Sequence, residues 1–163
     1  MPSSTLTLTV GAGSSDFFQS LENALVEGDT AAYVYDPTGG DGVIGIAFYN
    51  TNATSIIPSN AKILGVEITA KASSDYLGYG MIGATISQTG NYTAPSFPLT
   101  TTYEYFKFGS PTNNLGADST IKLQILSVTL STSSPNKSYL DFITATVYWE
   151  VPSLNVLFFG ESF

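Results

Sequence analysis

Apolar and polar residues alternate with a period of two in at least seven stretches of the chain. That is the pattern of strands with one face in a core and the other in water. In TLTLTV (5–10) the apolar set is Leu6, Leu8 and Val10; in VIGIAFYN (43–50) it is Ile44, Ile46 and Phe48. In 62–70 it is Leu64, Val66, Ile68 and Ala70, and it returns at Ile82, Ala84 and Ile86. Further runs are TTTYEYFKF (100–108), TIKLQILSVTL (120–130) and YLDFITATVYWEV (139–151), where Ile143, Ala145, Val147 and Trp149 share a face. In 120–130 the phase slips from Ile121, Leu123 and Ile125 to Leu126, Val128 and Leu130, which a bulge would absorb.

Between the runs lie clusters of Gly, Pro, Asn, Asp and Ser: DPTGGDG (36–42), NTNATS (50–55), SSDYLGYG (73–80), QTGNYTAPSFP (88–98), GSPTNNLGADS (109–119) and STSSPNKS (131–138). These residues supply positive or fixed φ and local side-chain caps, so each cluster predicts a turn or loop. Many short strands so punctuated predict an all-β chain folded as an antiparallel β-sandwich or jelly roll. One short N-terminal helix is predicted in DFFQSLENALVEG, with Asp16 as N-cap, Gln19 three residues on and Gly28 as stop. Gly65, inside a predicted strand, marks either a bulge or close backbone approach, or a slot for a neighbouring ring.

The length of 163 residues suits one domain, assigned to 1–152, with 153–163 as a separate apolar tail or arm. In that tail Leu154, Val156, Leu157, Phe158, Phe159 and Phe163 follow Pro152 with little polar relief, which makes them candidate subunit-interface residues. The tail either closes on its own sheet or buries its aromatics on another subunit.

Charge narrows the partners. The net charge is -8, with 13 acids against five basic residues, all lysine. Phosphate recognition needs clustered Lys and Arg, so neither nucleic acid nor an anionic membrane surface is an expected partner. No apolar run is long enough for a spanning helix, and the N-terminus lacks the pattern of a secretory signal. Charged residues make up only 11% of the chain, leaving a hydroxyl-rich, neutral-polar surface.

Chemistry is sparse. With no His and no Cys, the common acid–base and nucleophile arrangements and thiolate metal sites are unavailable. A glycosidase-like pair would have to come from Glu104 with Glu150 or Glu67, each on the polar register of a strand. Asp36 and Asp41 in DPTGGDG are oxygen ligands without a calcium-loop spacing, so no metal or cofactor is expected. The sequons at Asn52, Asn91 and Asn136 fit chance in a chain rich in Ser, Thr and Asn. Ten tyrosines remain. Tyr76, Tyr79 and Tyr92 with Phe97 fall in predicted loops and are candidate glycan contacts; the plainer reading makes them plugs at sandwich ends or subunit seams.

The pattern Pro58-x-x-Ala61-x-Ile63-x-Gly65-Val66-x-Ile68 follows LENALVEGDTAAY (Asn23, Ala24, Asp29, Tyr33) and precedes YLDFITATVYW (Asp141, Val147, Tyr148). In that order the three segments resemble β-sandwich domains of tailed-phage virion proteins. The family's opening tryptophan is absent, with Phe17 and Phe18 nearby, and so are its strand arginines. The resemblance implies a non-catalytic structural protein of the virion. The first expectation is a capsid decoration or cement protein, a homotrimer stabilising the major capsid protein shell. The alternative is a receptor-binding module at a tail or fibre, contacting host surface glycans.

Overall fold

The computed structural model describes residues 2–28, 30–35, 42–78, 80–86, 96–112, 123–133 and 136–153. The alternating runs form strands in two antiparallel sheets. The first sheet contains β1 (Ser3–Thr5), β3 (Phe18–Gln19), β4 (Ala32–Val34), β6 (Lys62–Ser74), β9 (Glu104–Ser110) and β11 (Ser138–Glu150), ordered β3-β4-β11-β6-β9 with β1 also on β11. The second contains β2 (Leu8–Val10), β5 (Val43–Thr51), β7 (Met81–Ile86), β8 (Phe97–Pro98) and β10 (Ile125–Thr132), ordered β2-β5-β10-β7-β8. The all-β sandwich expected from the alternation is therefore the observed fold.

Between the sheets lies one core. Val66, Ile68, Ala70 and Ala72 of β6, Leu140, Ile143, Ala145 and Val147 of β11, and Phe108 of β9 face Ile82, Ala84 and Ile86 of β7 and Leu126, Val128 and Leu130 of β10. Leu6 is buried where the chain passes from the first sheet to the second, and its N–H donates to the Ala145 carbonyl at 2.9 Å.

Three readings of the pattern need correction. The segment 16–28 is not an α-helix. Its residues form β3 and a 3-10 helix, Leu21–Leu25, because Ser20 takes left-handed φ and ψ of 56° and 47° and breaks the path between them. In β5 the opposite phase is buried: Gly45, Ala47 and Tyr49 point inward, while Ile44 is 65% exposed. The physical reason is Gly45, whose missing side chain leaves space for Val34 and Phe18, while Tyr49 in the same phase fills the core and bonds its hydroxyl to Leu21. In β6, Ile63 is buried and Leu64 only partly, because the β6–β11 register shifts there.

The slip in 120–130 falls just before β10, at Leu123 and Gln124, whose carbonyls are held by Thr51. Gly65 meets the backbone. A Cβ there would collide with the carbonyls of Ser110 and Pro111, so the close-approach reading of this glycine holds and the ring slot does not. The tail assigned to 153–163 lies, from residue 154 on, outside the described residues.

Candidate functional site

Strand alternation sends every second side chain of the first sheet outward, and on β9 the outward register is aromatic as well as the inward one. Phe106 and Phe108 turn to the core, while Tyr105 is 57% exposed and Tyr103, just before the strand, 45% exposed. β4 does the same: Ala32 and Val34 are buried and Tyr33, followed by Tyr35, lies on the other side. The ladder aligns these residues. Tyr33 pairs with Tyr139 of β11, Tyr139 with Ser73 of β6, and Lys71 with Tyr105 of β9. One row of tyrosines therefore crosses the outer face from β4 to the entrance of β9.

A β-bulge supplies the polar centre. In β11, Leu140 pairs with Ala72 and Phe142 with Lys71, leaving Asp141 as the additional residue. Its carboxylate is nearly buried, and Lys71 Nζ lies 3.2 Å from Asp141 Oδ2 and 3.2 Å from Glu27 Oε1. The Tyr105 hydroxyl donates to the same Glu27 oxygen. Lys71 Nζ also lies 5.5 Å from the Tyr105 ring centroid and 6.0 Å from that of Tyr103. Glu27 is thereby held below its ordinary carboxylate range, first by the Tyr105 hydroxyl and then by Lys71. Lys71 is raised, by Glu27 and then by Asp141, so Glu27 and Lys71 both stay charged at neutral pH.

The far side of the row is pinned in the same manner. Lys137 lies over the Tyr33 and Tyr35 rings at 4.7 and 5.2 Å, and its backbone N–H donates to Asp75 Oδ2 at 3.0 Å. Tyr139 is pushed up to about 12 by burial and by donating to Asp75. Tyr103 is raised chiefly by desolvation, and the Ser73 hydroxyl bonds to its oxygen. The result is a face of oriented aromatic rings with carboxylates at its centre.

No family model and no curated protein matches the sequence. Solved structures do. A family 29 carbohydrate-binding module from Piromyces equi superposes with a TM-score of 0.45 at 11% identity, covering 90% of this chain and 91% of that one. The module TmCBM61, solved with β-1,4-galactotriose, gives 0.46 at 9%, covering 88% and 86%. The enzymatically active domain of bacteriophage CBA120 tailspike protein 4 gives 0.37 at 14%, covering 92% of this chain but 19% of that one. At these identities and scores the likeness is one of general β-sandwich form and says nothing about ligand.

The residues expected from the sequence fare unevenly. Tyr76 follows β6 and is 58% exposed at the same end of the sheet as the tyrosine row. Tyr79 and Tyr92 lie outside the described residues, as do Leu154, Val156, Leu157, Phe158, Phe159 and Phe163, and Asp36 and Asp41. The homotrimer and capsid-shell expectations gain no support from the described residues. Phe97 is not a loop residue. It sits half-buried on β8, its ring 5.3 Å from Phe108 and 6.0 Å from Phe106, where it bridges the two sheets.

The carboxylate pairs are also not assembled. Glu104 pairs with Ala72 and Glu150 with Lys62, ten positions apart on β6. At about 3.3 Å per residue that is roughly 33 Å, and Glu67 lies midway, so none meets the roughly 5–9.5 Å spacing of a glycosidase pair. Glu67 and Glu150 instead face Lys107 at 3.4 Å and Lys62 at 3.6 Å.

Proposed function

We propose that this protein is a non-catalytic glycan-binding module whose site is the outer face of the first sheet. The observation that carries the reading is the row from Tyr33 through Tyr139 and Ser73 to Tyr103, with Tyr105 on the next outward rung beside Lys71 and the Glu27 carboxylate. A tyrosine ring offers an apolar surface for the C–H face of a sugar and a hydroxyl for its rim, at low conformational cost. The carboxylates accept hydrogen bonds from sugar hydroxyls, and bonds to charged groups are the strong ones. Nothing in such a face requires a nucleophile or a proton shuttle.

Under the resemblance to tailed-phage virion domains, the setting is a tail or fibre component and the ligand a host surface glycan. Among the described residues the capsid-cement reading has no comparable site to rest on. A glycan array probed with the wild-type protein and with Tyr103→Ala, Tyr105→Ala and Tyr139→Ala tests the proposal. Binding that falls in the variants while their circular dichroism stays native supports it. Absence of any glycan binding, or binding indifferent to all three substitutions, refutes it.

A further inference from the structure

The chemistry of the same face also selects among glycans, and this step rests on the glycan-binding reading. An acidic sugar is favoured where cations outnumber carboxylates. Lys71 is shared between two carboxylates at 3.2 Å each, and with Glu27 and Asp141 it forms a cluster of net charge -1. Lys137 lies on the rings of Tyr33 and Tyr35, beside the Asp75 carboxylate that binds its own backbone N–H. Lys62 and Lys107, further along the sheet, face Glu150 and Glu67. The face thus presents carboxylates in excess of cations. A uronate, sialate or sulfate brought onto it would lose hydration and meet like charge.

The same excess suits a neutral sugar. Carboxylates only accept hydrogen bonds, and neighbouring sugar hydroxyls donate them in pairs. Geometry sets the direction of the chain. From Tyr33 on β4 through Tyr139 on β11 and Ser73 on β6 to Tyr103 before β9 the row crosses three inter-strand gaps. At about 4.8 Å each this is roughly 14 Å, the length of about three sugar rings, and it runs perpendicular to the strands.

We infer that the ligand is an uncharged oligosaccharide segment of about three rings lying across the strands, its hydroxyls bonded by Glu27, which Lys71 and the buried Asp141 hold in place, while its rings stack on the tyrosine row. Calorimetric titration with two sets of oligosaccharides, from dimers to hexamers, tests this: neutral gluco-, galacto-, manno- and xylo-oligomers, and acidic uronate and sialylated oligomers. The inference expects neutral oligomers to bind, affinity to rise to a plateau near the trimer, and salt to leave it little changed. Glu27→Gln should weaken binding roughly tenfold. Tight, salt-sensitive binding of the acidic set would overturn the inference while leaving the glycan site standing, as would neutral binding that Glu27→Gln leaves unchanged. Failure of both sets to bind would overturn the glycan-binding reading itself.

Discussion

Replacing Phe97 with alanine separates packing from recognition, because the same residue is a ligand contact on one account and a core bridge on the other. Its ring lies 6.0 Å from Phe106 at 29° and 5.3 Å from Phe108 at 58°, joining edge strands β8 and β9 of opposite sheets. Truncating a fully buried phenylalanine costs about 3–5 kcal/mol, and each ring pair about 0.5–1.5 beyond its area. Phe97 is only half-buried, so about 2–3 kcal/mol is expected, lowering Tm by roughly 5–10 °C at this chain length. Sugar affinity measured well below that Tm should be unchanged.

Tyr105→Ala should do the reverse. Its ring is 57% exposed and its partners lie on the outer face, so Tm stays within error while affinity falls about tenfold or more. Paired thermal-melt and titration data on the two variants are the assay. If Phe97→Ala lost affinity in a folded protein, or Tyr105→Ala lost stability but not affinity, the assignment of the site to the outer face would be wrong.

Other outcomes follow from single groups. The buried Tyr49 hydroxyl donates to the Leu21 carbonyl at 2.9 Å, so Tyr49→Phe orphans that carbonyl and should cost about 1–2 kcal/mol in denaturant melts. Tyr139, raised from 10.0 to about 12, keeps its proton in the folded state where the unfolded chain loses it. Its contribution to stability is full below pH 10 and lost as pH rises through about 12, a loss that Tyr139→Phe should remove from alkaline melts. Glu27 is depressed below 4.5, so sugar binding should persist into mild acid and fall only once pH drops beneath that value, with Glu27→Gln flattening the profile.

The sandwich was legible from period two alone, since Ile82, Ala84, Ile86 and Ile143, Ala145, Val147 bury the faces that alternation assigns them. β5 departs from its apolar pattern: Ile44 and Ile46 outrank Gly45 and Ala47 in hydrophobicity, yet only a glycine at 45 leaves room for Phe18 and Val34. The site was missed for a related reason. Loop position singles out Tyr76, Tyr79 and Tyr92, whereas the signal is tyrosine in the polar register of strands, as in Tyr33-Val34-Tyr35 and Tyr103-Glu104-Tyr105. A polar register needs only solubility, so rings placed there are unexplained by folding.

Asp141 stands in the sequence pattern as a strand residue, but its place in a bulge depends on the pairing of β11 with β6, strands distant in sequence. Its bulge can be removed without disturbing the core. If Asp141 is deleted, Leu140 still opposes Ala72, Phe142 still opposes Lys71 and Ile143 still opposes Ala70, now in unbroken alternation. Regular pairing should preserve the fold, and Lys71 keeps Glu27 as a partner at 3.2 Å. A bulge that serves only packing would make the deletion strongly destabilising; one kept to hold Lys71, and through it Glu27, would leave the melt near wild type and weaken sugar binding. We expect the second result, and a deletion variant that is both folded and fully able to bind would show that Asp141 contributes nothing to recognition.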